Sequence, residues 1–211
     1  LFPQYRNIQG LAGADRIHPA DLWVYEWRWL DPALAVTVDA ADYDDASRQL
    51  LDQLVLKIMR TGDPQAAQGF RDMCLGFAQT APAGQSRAFW KIAAGYFEAL
   101  AHGLLKVDIY IKRAASRVLL QYASFAKGDT NASDRLAQDL LFFCSQAVAA
   151  RASDAPVLSA IRSSYGLTRF KPVDYEAVQF GRFDPALLAQ ARKRIVSAKE
   201  NWSSLTAGDV S

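Results

Sequence analysis

The chain has 211 residues, 51% hydrophobic and 22% charged, with a formal net charge of +2. That balance provides enough apolar material for a real core. It carries no charge excess that would draw the chain to nucleic acid or a membrane surface, and with no run of about twenty apolar residues no membrane insertion is expected.

Leu1 to Gly10 lacks the apolar centre of a secretory signal, so a cytoplasmic location is expected. The stretch Leu1 to Ala41 is broken by Pro3, Gly10, Gly13, Pro19 and Pro32. Only short helical turns are expected between these breaks, and residues 1–42 read as an irregular strap. His18 precedes Pro19, which favours an extended or turn conformation, and an exposed side chain is expected there. Trp23 to Trp29 alternates apolar and polar residues. The alternation fits a strand, a helical turn begun at Asp21, or an extended strap. The strap or turn is preferred, because no second strand is evident. Clustered tryptophans can form a binding surface, so Trp23, Trp27 and Trp29 are candidate interaction anchors. They can also seal an irregular segment onto a core, and that reading is preferred.

From Tyr43 onward the pattern is helical. Tyr43 to Arg60 places Ala46, Leu50, Leu51, Leu54, Val55 and Ile58 on one expected face, with acids in its first turn and bases in its last. Gly62 stops it. Asp63-Pro64 opens the next helix, since Asp caps free N–H groups and Pro fits the first helical position; it turns Phe70, Cys74 and Phe77 inward. Three long amphipathic stretches follow: Arg87 to Leu105, Val107 to Lys127 and Ser133 to Ala149. Their apolar residues recur at helical spacing: Phe89, Ile92, Tyr96, Leu100 and Leu104, then Ile111, Ala115, Val118, Tyr122 and Phe125, then Leu136, Leu140, Phe143 and Ala147. Short connections predict antiparallel packing. Pro156 to Tyr165 reads as a short helix. Leu167 to Phe183 reads as an irregular connection tied down by Tyr175, Phe180 and Phe183. A last helix should start at Asp184-Pro185, with Leu188, Ala191, Ile195, Ala198 and Trp202 on one face. Its basic residues read as solvated surface.

The expected fold is therefore all-α: antiparallel helical bundles over 43–211, divisible into sub-bundles 43–128 and 129–211. Cys74 and Cys144 lie in apolar helical runs and read as buried, reduced thiols. No His pattern accompanies them, so no metal site is expected. The sequon Asn131-Ala132-Ser133 reads as a helix start. The chain lacks an initiator Met, and Gly208-Asp209 repeats the stop-and-start pairs Gly62-Asp63 and Gly128-Asp129; both features read as a fragment of a longer protein.

No phosphate-cradling glycine loop, paired-His helix face or nucleophile elbow occurs, so no catalytic residue and no cofactor is expected. His102 is the one candidate phosphoacceptor, because all-α bundles include the histidine phosphotransfer domains. Those carry an exposed mid-helix His with a Lys and a Gly one turn further on. Here His102 is followed directly by Gly103, with Lys106 one position late, and it lies near the end of its helix. The expectation is a phosphotransfer-like bundle without an active phosphotransfer site.

Four runs carry a resemblance: Lys112 to Leu120, Ser133 to Cys144, Lys171 to Glu176, and Phe180 to Lys199. They resemble the N-terminal region of chemotaxis-type hybrid histidine kinases of the type IV pilus, or twitching-motility, chemosensory system. That region is similar to a stand-alone twitching-motility scaffold that also lacks the phosphorylatable His. The resemblance implies a non-catalytic module in a two-component assembly. It implies partners among chemosensory or pilus proteins, or among other domains of the same chain. No kinase or receiver motif lies in these residues. Three rivals stay open: an active phosphotransfer domain using His102, an unrelated helical-repeat scaffold, and a helical domain that binds a small molecule or acts as an enzyme.

Overall fold

The computed structural model describes residues 1–177, 193–199 and 202. Seven helices lie in the unit Phe2–Tyr175: α1 (Phe2–Leu11), α2 (Asp45–Thr61), α3 (Pro64–Thr80), α4 (Gln85–Ala101), α5 (Ile109–Ala126), α6 (Asp134–Gln146) and α7 (Pro156–Ser164). No strand occurs among the described residues, and the fold class is all-α, a helical bundle. A second unit holds Leu1 and the described residues from Glu176 on. In it, residues 193–199 are helical, and Ile195, Ala198 and Trp202 are exposed. The expectations for Phe180, Phe183, Asp184-Pro185, Leu188, Ala191 and Gly208-Asp209 lie outside the described residues.

Capping chemistry sets the helix starts. Asp44 Oδ1 accepts the Ser47 N–H at 2.7 Å, and Asp63 Oδ1 accepts from Gln65 N at 2.9 Å. Asp108 Oδ1 accepts from Tyr110 N and Ile111 N, both at 2.9 Å, and Ser133 Oγ accepts from Leu136 N at 3.2 Å. Each side chain satisfies an amide that the first turn cannot pair internally. Gly62 ends α2 in the left-handed conformation, at φ 67°.

α4 is the axis. From Phe89 to Leu100 all but Lys91 are buried, because α3, α6 and α7 all pack against it. α2 packs on α3 and α5, and α5 on α6, so α2, α3, α4, α6 and α5 close a ring. α4 and α5 run antiparallel across it: Trp90 faces Phe125 with centroids 5.6 Å apart, while Tyr96 OH donates to Ile111 O at 2.6 Å. Large rings between them keep these two backbones from close approach, so α5's near neighbours are α2 and α6 rather than α4. Phe77, Trp90, Tyr122, Phe125 and Tyr43 interlock edge-to-face and tilted in this core.

Three expectations are corrected. α1 is a ten-residue helix rather than a short turn; Pro3 sits in its first turn, where a missing N–H costs nothing. On α2, Ala46 and Leu50 are exposed, and Leu51, Leu54 and Ile58 form the buried face. The stripe is rotated because α3 and α5 flank one side only. His18 is 6% exposed rather than a surface residue.

Candidate functional site

Residues 23–42 form no regular element. Along them Trp23, Tyr25, Trp27 and Trp29 turn toward the core, while Leu22, Val24, Glu26 and Arg28 face out. Trp23 stacks on Tyr25 at 4.4 Å and meets Phe142 and Phe170 edge-on. Trp27 meets Trp29 at 4.9 Å, and Trp29 Nε1 donates to Asp134 Oδ1 at 2.8 Å. Tyr25 OH donates to Tyr165 O, and Tyr165 OH bridges Leu30 N and Leu30 O. The three tryptophans are thus half-buried against α6 and the segment after α7. His102 is exposed and forms the C-cap of α4, one residue past the helix.

A dense polar site lies where the segment after α1 crosses α5 and α6. A cleft of about 210 Å³ is walled by Asp15, Arg16, Ile17 and His18, by Tyr110, Arg113, Ala114 and Arg117 of α5, and by Asp139 of α6. His18 caps the short turn Pro19–Leu22: its Nδ1 accepts the Ala20 N–H at 3.1 Å, while Asp21 Oδ2 accepts the His18 N–H at 2.8 Å. Arg16 is shared between two carboxylates, bonding Asp21 through Nη1 and Asp139 through Nη2 at 2.6 Å. Arg135 also bonds Asp21, Tyr5 OH donates to it at 3.1 Å, and Arg117 Nη1 lies 3.6 Å from Asp139.

Burial sets the charge states. The His18 ring packs edge-on against Tyr110 and Phe143. Burial, reinforced by the Arg16 guanidinium, pushes its pKa down to about 3. The neutral ring accepts at Nδ1 and therefore carries its proton on Nε2. Its 3.3 Å approach to Asp139 is then not an ion pair. Burial raises the Asp139 carboxyl above the usual range, against the Arg16 hydrogen bond. At Asp21, burial also works against the charge, but the His18 N–H and the Arg16 guanidinium outweigh it and hold the carboxyl low. Two donors in this cluster, Arg16 Nε and His18 Nε2, are buried with no acceptor; the Trp23 indole N–H is in the same condition on the strap.

Other buried polar groups serve the scaffold. Arg162 donates to Cys144 O at 2.6 Å and Ser145 O at 2.8 Å, pairing carbonyls at the end of α6. Both cysteines are free and buried, and burial pushes the Cys144 thiol up to about 12. Among the described residues no group of His, Cys, Asp or Glu is placed to hold a metal ion. No described helix is long and apolar enough to cross a membrane.

A family model described as the FimL scaffold protein second domain matches residues 36–178. The chain belongs to this family. The FimL second-domain match spans α2 to α7 and includes Arg113, Arg117 and Asp139, whereas Arg16 and His18 precede it. Neither a curated protein nor a solved structure matches the chain.

Sequence reasoning did not single out the Arg16–His18–Asp139 cluster. Its signal was Asp139, a charged residue set between Leu136 and Phe143 on an apolar stripe. A carboxylate at a core position demands a cationic or hydrogen-bonding partner. Glu98, inside the apolar run of α4, carried the same signal.

Proposed function

We propose that this chain is a non-catalytic docking module of a type IV pilus chemosensory system, located in the cytoplasm. It holds partner proteins of that assembly together and does no chemistry on them. The observation that carries the reading is the match to a scaffold-protein domain over residues 36–178. The position of His102 supports it. A phosphoacceptor needs a partner's active site to close around an exposed mid-helix imidazole, and His102 stands at the helix end beside Gly103. The N-terminal setting in a chemotaxis-type histidine kinase is a finer version of the proposal. It rests on the extended likeness of Lys112 to Leu120 and Ser133 to Cys144. In either setting Trp23, Trp27 and Trp29 contribute through their outer edges, as the half-buried aromatics of a strap whose other face mixes apolar Leu22 and Val24 with charged Glu26 and Arg28.

Affinity capture of the folded chain from its own organism, read by mass spectrometry, tests the proposal. Recovery of identified chemosensory or pilus proteins at near-stoichiometric amounts is the expected result. A folded chain that recovers none of them, together with normal twitching after deletion of the region, would overturn it. Phosphorylation of His102 by a chemosensory kinase, abolished in His102→Gln, would replace docking with phosphotransfer.

A further inference from the structure

We propose that the cleft over His18 is a carboxylate-binding site. Its ligand is a single monoanionic carboxyl group, carried either by a small free acid or by an acidic residue of a peptide. The inference stands on the cleft and does not depend on the scaffold reading.

Unsatisfied hydrogen-bonding capacity defines the chemistry. Arg16 Nε and His18 Nε2 belong to residues that wall the same cleft, and both are buried without an acceptor. His18 is more than nine-tenths buried. Its Nδ1 is occupied by the Ala20 N–H, so the unpaired Nε2 is a donor. Buried donors are normally paired, and the group that completes these two must accept. No buried side-chain acceptor lacks a partner among the described residues, so the cleft makes no matching demand for a donor such as an amine.

Charge selects among acceptors. Arg113 and Arg117 stand exposed on α5, one turn apart, on the cleft wall. Arg113 has no carboxylate partner among the described residues, and Arg117 approaches Asp139 only at 3.6 Å. Guanidinium forks match a planar carboxylate bidentately. The wall carries three guanidiniums, from Arg16, Arg113 and Arg117, against two carboxylates, from Asp15 and Asp139; three minus two leaves one positive charge. A monoanion balances that excess. A phosphate dianion would exceed it while facing two aspartates. A volume of about 210 Å³ falls below the roughly 300 Å³ where drug-sized ligand pockets begin, which suits one small group rather than a nucleotide.

The test is an NMR titration of the ¹⁵N-labelled full chain at fixed ionic strength, following the arginine Nε–H and His18 ring signals. The probes are acetate, a capped tripeptide containing one Glu, and inorganic phosphate, with chloride as the reference salt. Saturable shifts of the Arg16 Nε–H with acetate and with the peptide are expected. Arg113→Gln should weaken both by about tenfold, as loss of one charge-assisted bond implies. Arg113 is exposed, so this variant keeps the fold even where His18→Gln does not. Tighter binding of the peptide identifies the ligand as a protein side chain; binding of acetate with exclusion of the peptide identifies a free acid. Preferential binding of phosphate, or shifts unchanged in Arg113→Gln, would overturn the proposal. So would the absence of any saturable shift.

Discussion

Glu98, in the last turn of α4, closes the first turn of α7: its Oε2 accepts the Leu158 N–H at 2.7 Å. The other oxygen accepts from Arg71 Nη1 of α3 at 3.1 Å. α7 begins at Pro156 and has no side-chain cap of its own, so a carboxylate from another helix supplies the negative charge that a helix N-terminus favours. One wholly buried side chain thereby links three helices.

Glu98→Ala should therefore cost about 2–3 kcal/mol, because it strands a buried amide and takes one of two carboxylates from Arg71, which keeps Asp72 through Nε and Nη2. Glu98→Gln retains an acceptor for Leu158 and should cost roughly half as much. Urea denaturation followed by circular dichroism measures both. A loss below about 1 kcal/mol for the Ala variant would mean that α7 does not depend on this cap.

Gly76→Ala should peel the segment around Asp39 and Ala41 away from α3. A Cβ at Gly76 would stand 2.8 Å from both Asp39 O and Ala41 Cβ, and backbone cannot yield as a flexible side-chain tip can. Thr80 Oγ1, donating to Ala41 O at 2.8 Å, and Gln79, donating to Val38 O, hold the same segment. The expected cost is about 1–3 kcal/mol, partly offset by the better helix propensity of Ala. Limited proteolysis should show new cleavage between Trp29 and Tyr43, and an unchanged digest would refute the tight fit.

His18 should make the protein acid-sensitive at mildly acidic pH. Its folded pKa, about 3, lies below the ordinary 6.5, so protonation favours the unfolded chain. The stabilisation is complete above pH 6.5 and is lost as pH falls toward 3, at up to about 1.4 kcal/mol per pH unit. Asp139, held above its usual range by burial, works in the opposite sense, while Asp21, held low, adds to the acid loss at lower pH. Between pH 6.5 and 5 the loss from His18 precedes that from Asp21. His18→Asn retains an acceptor for Ala20 N and should flatten the denaturation midpoint across that interval.

Arg162→Met should destabilise by about 2–3 kcal/mol, since the Cys144 and Ser145 carbonyls lose their buried donor. Arg162→Lys should recover only part of that, because both bonds come from Nη1 and the ammonium of the shorter lysine side chain sits one bond closer to the backbone. Thermal unfolding of the two variants against the parent checks the order.

The starts of α2, α3, α5 and α6 were legible because their determinants are local. Asp44, Asp63, Asp108 and Ser133 each cap amides two or three residues away. The apolar stripe of α5 was legible for the same reason: Ile111, Ala115, Val118, Tyr122 and Phe125 are all buried. The stripe of α2 was misjudged at Ala46 and Leu50, because apolar residues cover more than one side of that helix and only its neighbours choose between them. The cleft was not legible. Arg16 and Asp139 are 123 residues apart, and no periodicity links them.

What the sequence by itself determined is the all-α class, the borders of α2 to α6 to within a few residues and most inward faces, all products of interactions within one or two turns. The tertiary structure alone decided which buried charges meet. It placed His18 among Tyr110, Phe142 and Phe143, gave α7 its cap from Glu98, and folded the tryptophan strap onto α6. A buried ionisable group can be recognised locally by its apolar neighbours. Its partner is set by helix packing, because only packing brings distant segments within hydrogen-bond reach.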